Sequence, residues 1–243
     1  MSDMRGDQEF HTTQWSLVVS SRGADSSIRR KSLGELYESY WYPLFAYLRR
    51  KGHLPDDAAD YVQAFFAELI DKEFLDTVSP DKGRFRWFLM SAVKRFVSKQ
   101  LEKQQALKRG GGQEIFSIDR GDAEKRYQLE PVDGWTAEKL FDRRWALAVL
   151  QQALAELKLS FADRGKSQLF AELQPTLGGV RISQQRYEEI AERLKMTPGA
   201  VKVAALRLRE KYRQTMQEIV QQTMVDSEAV DDELDELLSA LRG

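Results

Sequence analysis

Apolar residues recur at helical spacing along most of this chain, and no convincing alternating run predicts a strand. The pattern predicts a first helix that begins at Ile28, a second that begins at Pro55 and a third after Gly83. Further helices are predicted from about Thr136 and over roughly residues 166–173. We therefore predict an all-α protein.

The clearest pattern is a pair of helices, YEEIAERLKMTPGAVKVAALRLREKYR, that runs from Tyr187 to Arg213. Thr197 followed by Pro198 marks the start of the second helix, because a Thr side chain caps free backbone N–H groups. A left-handed backbone at Lys195, in the turn, would cost about 1 kcal/mol. The pair is typical of a helix-turn-helix, whose second helix enters the major groove of DNA. An ordinary pair of surface helices with solvated charges is the alternative.

The second helix of this pair carries cations opposite its apolar stripe, against the single acid Glu210. Lys202, Arg209 and Arg213 follow the spacing i, i+7, i+11 and therefore share one face. Such a face suits a helix that lies along phosphates, which supply most of the affinity for DNA and no sequence information.

The helix that begins at Pro55 joins acids to a wide apolar stripe. Asp56 and Asp57 fall in its first turn, where carboxylates meet the positive end of the helix dipole. Acids near a helix start can also cap the helix and do nothing else, so capping alone is the alternative to a functional role for these acids.

The third helix, in RFRWFLMSAVKRFVSKQLEKQQALKRGGG, is basic and aromatic at once. Phe88 and Phe96 have helical spacing for a core, which leaves other rings in surplus. Cations follow a nucleic-acid backbone, and rings stack on unpaired bases at about 1–3 kcal/mol per base. This helix is therefore predicted to contact single-stranded nucleic acid.

Composition narrows the classes of function. The chain has 243 residues, of which 42% are apolar, and a net charge of -1. It contains no cysteine and two histidines, which excludes disulfides, thiolate metal sites and a histidine-rich metal site. No apolar run approaches the ~18 residues that span a bilayer, and no signal-peptide pattern is found. Without a phosphate-binding Gly loop or a nucleophile arrangement, we expect no enzyme activity, no cofactor and no metal, in a cytoplasmic protein without membrane insertion.

The glycine run at 110–112 and the polar stretch after it predict a flexible linker. Leucines at helical spacing near the C-terminus predict a short amphipathic helix within an acidic tail. We expect this tail to fold over a basic face and weaken non-specific DNA binding; a solubilising tail, or a helix packed on the second domain, are the alternatives. The predicted parts are an N-terminal extension (1–27), a first domain (28–109), the linker (110–135), a second domain (136–225) and the tail (226–243).

Four segments together resemble the extracytoplasmic-function (ECF) group of bacterial RNA polymerase sigma factors, in the sigma-70 family. They are LYESYWYPLFAYLRRKG, PDDAADYVQAFFAEL, GRFRWFLMSAVKRFV and the helix-turn-helix quoted above. The resemblance covers about residues 12–225 and includes a D-A-x-D-x-x-Q-x-x-F run from Asp57 to Phe66. The GAVKVAALRLREKYR ending also resembles a subgroup common in planctomycete-type genomes.

The resemblance implies a sigma region 2-like helical domain, a linker and a sigma region 4-like helix-turn-helix domain. Region 2 would bind the clamp helices of RNA polymerase core enzyme and the −10 promoter element, and region 4 the −35 element, so that transcription of a specific regulon begins. The implied core-polymerase residues are Asp57, Asp60 and Gln63, which would pair with arginines, and Phe65 and Phe66, which would support that surface from beneath. The implied −10 contacts are Arg84, Arg86, Trp87, Lys94, Arg95 and Lys99. The implied −35 contacts are Thr197, Gly199, Lys202, Arg207, Arg209 and Arg213.

A stand-alone helix-turn-helix regulator, which would bind DNA without polymerase, is the alternative function. Such a protein would not explain the acidic helix or the basic-aromatic helix. The sequence leaves the promoter bases and the controlling partner open, with an anti-sigma factor and a Ser/Thr kinase as candidates.

Overall fold

The protein is a set of helices packed around two hydrophobic cores. The computed structural model describes residues 26–70, 84–106, 120–130, 134–178, 183–224 and 229–242. Within these ranges all regular structure is helical and no strand occurs, which confirms the predicted all-α class. None of the helices in these ranges is long and apolar enough to cross a bilayer.

The α-helices follow the predicted order, with additions. They are α1 (Ser26–Arg50), α2 (Pro55–Ile70), α3 (Phe85–Ala106), α4 (Arg120–Gln128), α5 (Ala137–Asp163), α6 (Ser167–Leu173), α7 (Gln184–Leu194), α8 (Pro198–Gln221) and α9 (Val230–Ala240). A 3-10 helix, Gln174–Gly178, follows α6.

The larger core lies among α1, α2, α3 and α5, and much of it is aromatic. Tyr40 of α1 is fully buried between Phe85 of α3 and Trp145 of α5, with ring centroids 5.6 and 6.3 Å away. Phe65 of α2 meets Phe96 of α3 at 5.7 Å, edge to face. Each such pair adds about 0.5–1.5 kcal/mol beyond the area it buries.

The smaller core lies under α6, α7 and the first half of α8. Its fully or nearly buried residues are Leu157, Phe170, Leu173, Ile190, Ala191, Val201, Ala205 and Leu208. Leu157 lies near the end of α5, whose first part belongs to the larger core, and α8 likewise contributes Ile219 to the larger core. The division between the cores therefore runs across α5 and α8, whereas the sequence predicted a domain boundary near residue 136.

Helix α4 lies inside the stretch that was predicted to be a flexible linker. It buries Ala123, and its Glu124 accepts hydrogen bonds from the guanidinium of Arg49 on α1 at 2.9 Å. Just beyond it, Glu130 is 4% exposed and accepts a hydrogen bond from the hydroxyl of Tyr42 at 2.9 Å. This part of the predicted linker is thus packed on the first helix. The rest of that stretch, at 110–119 and 131–133, lies outside the described residues, as do residues 1–25 of the predicted N-terminal extension.

The acidic tail contains the predicted amphipathic helix, α9, which buries Leu234 and Leu237 in the larger core. It packs against α5 and α8. The tail helix thus packs on helices of the second part of the chain, which is one of the predicted alternatives, and it also lies over cations, which is the structural part of the first prediction. Its acids meet cations at the start of α3, as described below.

Candidate nucleic-acid interfaces

Local hydrogen bonds shape the turn between α7 and α8. Lys195 ends α7 in the left-handed region, with φ 53° and ψ 43°, and the N–H of Met196 donates to the carbonyl of Ala191 at 2.9 Å. The Oγ1 of Thr197 then accepts a hydrogen bond from the N–H of Ala200 at 3.2 Å and caps α8, which confirms the predicted cap. A short turn with a capped exit thus joins the two helices.

Helix α8 has a buried side and an exposed side. Val201, Ala205 and Leu208 lie on the buried side, in the smaller core. On the opposite side, Val203 and Leu206 are 48% and 57% exposed. An α-helix turns by about 100° per residue, so these two side chains lie at the centre of the exposed side.

Three of the predicted −35 residues lie on or beside this exposed side. Apart from its chain neighbours and the backbone of its own helix, Gly199 has no atom within 4 Å of the place where a Cβ would be, so the start of α8 is open to a close approach. Lys202 is exposed and donates a hydrogen bond to the side-chain oxygen of Gln184 at 2.6 Å. Arg207 is exposed at the opposite edge of this exposed side of α8 from Lys202. We call Gly199, Lys202, Val203, Leu206 and Arg207 the α8 surface.

The other predicted −35 residues have partners within the chain. Arg209 donates to the backbone carbonyl of Thr176 at 3.2 Å, and Arg213 pairs with Asp231 of the tail helix at 3.2 Å. The hydroxyl of Thr197 accepts the capping hydrogen bond. These contacts hold α8 to its neighbours, so the structure divides the predicted set into two groups.

A groove of about 650 Å³ runs beside the α8 surface. Arg164 and Lys166, from the turn between α5 and α6, line it together with Arg207 and Lys211 of α8. None of its twelve lining residues is acidic, so the groove extends the positive charge of α8 to one side.

Val203 and Leu206 were not among the residues predicted from the sequence. Both fall opposite the buried stripe of α8, so the helical spacing alone would have placed them in solvent. The signal that could have identified them was the presence of two large apolar side chains at positions that the helical spacing predicts to face water.

The predicted −10 residues on α3 have a different environment. Arg86 is 1% exposed, and its Nε and Nη2 donate to the two carboxylate oxygens of Glu233 on α9 at 2.7 and 3.2 Å. It also pairs with Asp142 of α5 and with Glu236, the latter at 3.1 Å. Burial lowers the pKa of Arg86, but the hydrogen bond to Glu233 and the negative charges around it outweigh burial and raise the pKa. The prediction that Arg86 contacts DNA does not fit this conformation.

Arg84 and Trp87 lie beside this buried cluster. Arg84 forms ion pairs with Glu233 and Glu236, and its guanidinium lies 4.7 Å from the ring centre of Trp87. Burial raises the pKa of Glu236, but the hydrogen bond from Arg84 and the charge of Arg86 bring it below the ordinary value. Trp87 remains 45% exposed.

Lys94 pairs with an acid from the second part of the chain. Its Nζ lies 3.1 Å from Oε1 of Glu138, at the start of α5, and the Nζ of Lys51, just after α1, lies at the same distance. Burial raises the pKa of Glu138, but hydrogen bonds from its own backbone N–H and from both lysines hold it at about 2. Because the pKa of Glu138 is depressed, the stability that its ion pairs contribute is complete above the ordinary pKa of 4.5 and is lost as the pH falls towards 2.

We call Arg84, Arg86, Trp87 and Lys94 the α3 surface.

Two other predicted −10 residues lie further along α3. Arg95 is exposed, and Lys99 is exposed with its Nζ 4.0 Å from the carboxylate of Glu68 on α2. The structure therefore places three of the six predicted residues, Arg84, Arg86 and Lys94, against acids of α5 and α9. Arg95 and Lys99 lie further along the helix and are exposed, with Lys99 at the limit of ion-pair distance from Glu68.

The predicted polymerase-binding residues divide by depth on α2. Asp57 and Asp60 are exposed, whereas Gln63 is 8% exposed. Phe65 and Phe66 are buried in the larger core beneath the helix, in the position that the resemblance implies for supporting residues.

Comparison of the chain with models of known protein families, with curated proteins and with solved structures finds no match. In the described part of the chain, no group of three or more His, Asp or Glu side chains is arranged to hold a metal ion.

Proposed function

We propose that this protein is a sigma factor of the ECF type, which binds RNA polymerase core enzyme and recognises promoter DNA. The observation that carries the proposal is the exposed side of α8. A capped turn presents this helix, its centre is apolar, and Lys202 and Arg207 flank the centre. An α-helix of this kind fits the major groove, with cations near the phosphates and its centre near the bases.

The exposed acids of α2 support the polymerase part of the proposal. Asp57 and Asp60 are one turn apart and both reach solvent, while Phe65 and Phe66 fix the helix from below. Acids held on a rigid helix suit a docking surface for a basic partner, here the clamp helices of the polymerase.

The α3 surface would contact the −10 element in a second conformation. Arg84, Arg86 and Lys94 are neutralised by acids from α5 and α9. A nucleic-acid strand must displace these carboxylates before the cations can contact phosphates. The proposal therefore includes a release of α5 and α9 from α3 when the promoter is bound.

A stand-alone helix-turn-helix regulator is the second candidate, and the same ion pairs favour it. If the cations of α3 serve only to hold α9 and α5 in position, α8 alone reads DNA. Polymerase binding separates the two candidates, because only a sigma factor requires the exposed acids of α2.

The test is a pull-down with bacterial RNA polymerase core enzyme. We expect the wild-type protein to bind and Asp57→Arg/Asp60→Arg to lose binding at least tenfold, since attraction would become repulsion. The matched control is Glu156→Arg/Asp163→Arg, which makes the same charge change at two exposed acids of α5. Far-UV circular dichroism verifies that each variant is folded.

Equal loss in the α2 variant and in the α5 control would mean that only net charge matters. Wild-type protein that does not bind polymerase, but does bind duplex DNA, would overturn the sigma-factor proposal and favour the regulator.

A further inference from the structure

The centre of the α8 surface is apolar although it faces solvent. Val203 and Leu206 are 48% and 57% exposed, while Val201, Ala205 and Leu208 of the same helix are buried. The helix therefore has its own complete stripe for the core. Val203 and Leu206 are additional to that stripe, and the described chain leaves them uncovered.

Cations lie on both sides of this apolar centre. At about 100° per residue, Lys202 falls on one flank of the helix, and Arg207 and Lys211 on the other. Glu210 lies on the central stripe one turn after Leu206 and so marks its C-terminal limit. The arrangement matches a major groove, in which phosphates run along both edges and base edges form the floor.

Base edges in the major groove present donors, acceptors and one apolar group, the C5-methyl of thymine. Val203 and Leu206 have no hydrogen-bonding atoms in their side chains, so the thymine methyl is the only group on the floor that suits them. Three residues of an α-helix advance about 4.5 Å, which lies between one and two of the 3.4 Å steps from one base pair to the next. The two side chains would therefore contact neighbouring base pairs.

We propose that Val203 and Leu206 determine sequence specificity by contacting the methyl groups of thymines in neighbouring base pairs. This inference rests on the proposed function, because it requires that α8 enters a major groove. It also names the base that the site must contain, which the proposed function does not.

The test uses the full chain together with RNA polymerase core enzyme and a duplex library with a randomised centre. Sequences enriched by the wild-type protein are then resynthesised with deoxyuridine in place of each thymine, which removes one methyl group and keeps base pairing and charge. We expect two neighbouring thymines in the enriched sequence, and a loss of about fourfold in affinity for each methyl removed.

Two variants assign the effect to its residue. Val203→Ser and Leu206→Asn should each lose sensitivity to one of the two methyl groups, while they keep binding to the unmodified duplex within an order of magnitude. Leu159→Asn, which changes an exposed leucine of α5, is the control and should keep full methyl dependence.

An enriched sequence that binds equally with deoxyuridine overturns this inference and leaves the DNA-binding role of α8 intact. The inference also fails if the variants keep the methyl dependence of the wild type. A loss of polymerase binding in Leu206→Asn, with unchanged sequence selection, identifies the apolar centre as a protein contact and likewise overturns it. Failure to enrich any sequence overturns the proposed function together with this inference.

Discussion

The α3 surface and the α8 surface are both cationic, but their charges have different partners. On α3, Arg84, Arg86 and Lys94 meet carboxylates of α5 and α9. On α8, Arg207 stands in a groove without acids, and the hydrogen bond of Lys202 goes to a neutral amide. Cationic composition alone therefore does not identify a nucleic-acid surface. The availability of each cation is decided by what else folds against it.

The burial of the two surfaces differs in the same way. Arg86 is 1% exposed and lies between aromatic rings, with its guanidinium 5.4 Å from the ring centre of Trp145. Nothing comparable in the described part of the chain covers Val203 or Leu206. The α3 surface therefore contributes to the stability of this conformation, whereas the α8 surface contributes little to it.

The largest expected effect concerns stability at α3. Arg86→Ala removes the bidentate partner of Glu233, whose side chain is fully buried, and should lower the free energy of unfolding by about 3 kcal/mol. Urea denaturation measures it. Arg207→Ala, on the exposed α8 surface, is the control and should change stability by less than about 0.5 kcal/mol. A change below about 1 kcal/mol for Arg86→Ala would show that the buried pair does not hold α9 in place.

The next effect concerns duplex DNA. Lys202→Ala/Arg207→Ala should reduce the salt dependence of binding by the free chain by about 2 units of slope, because about 0.9 is lost per phosphate contact. Lys94→Ala should leave the slope unchanged, since Lys94 is paired with Glu138. Fluorescence anisotropy with a random-sequence duplex at several salt concentrations gives both values. A similar reduction in Lys94→Ala would contradict the difference between the two surfaces.

Removal of the acids that pair with the α3 surface should make its cations available to nucleic acid, as those of the α8 surface are. Glu138→Gln/Glu236→Gln frees Lys94 and Arg84 from one partner each, and should steepen the salt dependence for a single-stranded oligonucleotide by up to about 1.4 units. Asp232→Asn/Asp235→Asn makes the same charge change at exposed acids of α9 and is the matched control. If both pairs of substitutions change the salt dependence equally, the net charge of the chain explains the change, and the ion pairs of Glu138 and Glu236 do not.

The smallest expected effect concerns the turn that presents α8. Lys195 is the only residue other than glycine with a positive φ in the described ranges. Lys195→Gly should raise the free energy of unfolding by up to about 1 kcal/mol, because glycine has no Cβ to clash. Lys195→Ala keeps a Cβ and should bring no gain. Equal stabilisation by both would mean that the backbone is not strained at this position.

Features set by neighbours in sequence could be predicted, and features set by distant partners could not. The cap at Thr197 and the turn at Lys195 depend on residues within one helical turn, and the sequence pointed to both. The burial of Arg86 depends on Glu233 and Asp142, which are 147 and 56 residues away in the chain. No local pattern contains that information.

Helix α4 escaped prediction for a related reason. Its segment, RGDAEKRYQ, has no apolar stripe, so the sequence shows no helical periodicity there and predicts a loop. The contact between Glu124 and Arg49, 75 residues apart, anchors it on α1. In contrast, Val203 and Leu206 were within reach of prediction, because helical spacing alone puts them opposite the buried stripe.

The most direct test of the central difference is site-specific cross-linking with the photoreactive residue p-benzoylphenylalanine, placed in turn at Trp87 and at Leu206. Free chain and chain bound to RNA polymerase core enzyme are irradiated with the same promoter DNA. We predict that position 206 cross-links to duplex DNA in both states, and that position 87 cross-links to the opened strand only with polymerase. Equal cross-linking from position 87 in the free chain would contradict the account, because the cations beside Trp87 would then attract DNA although carboxylates of α9 pair with them.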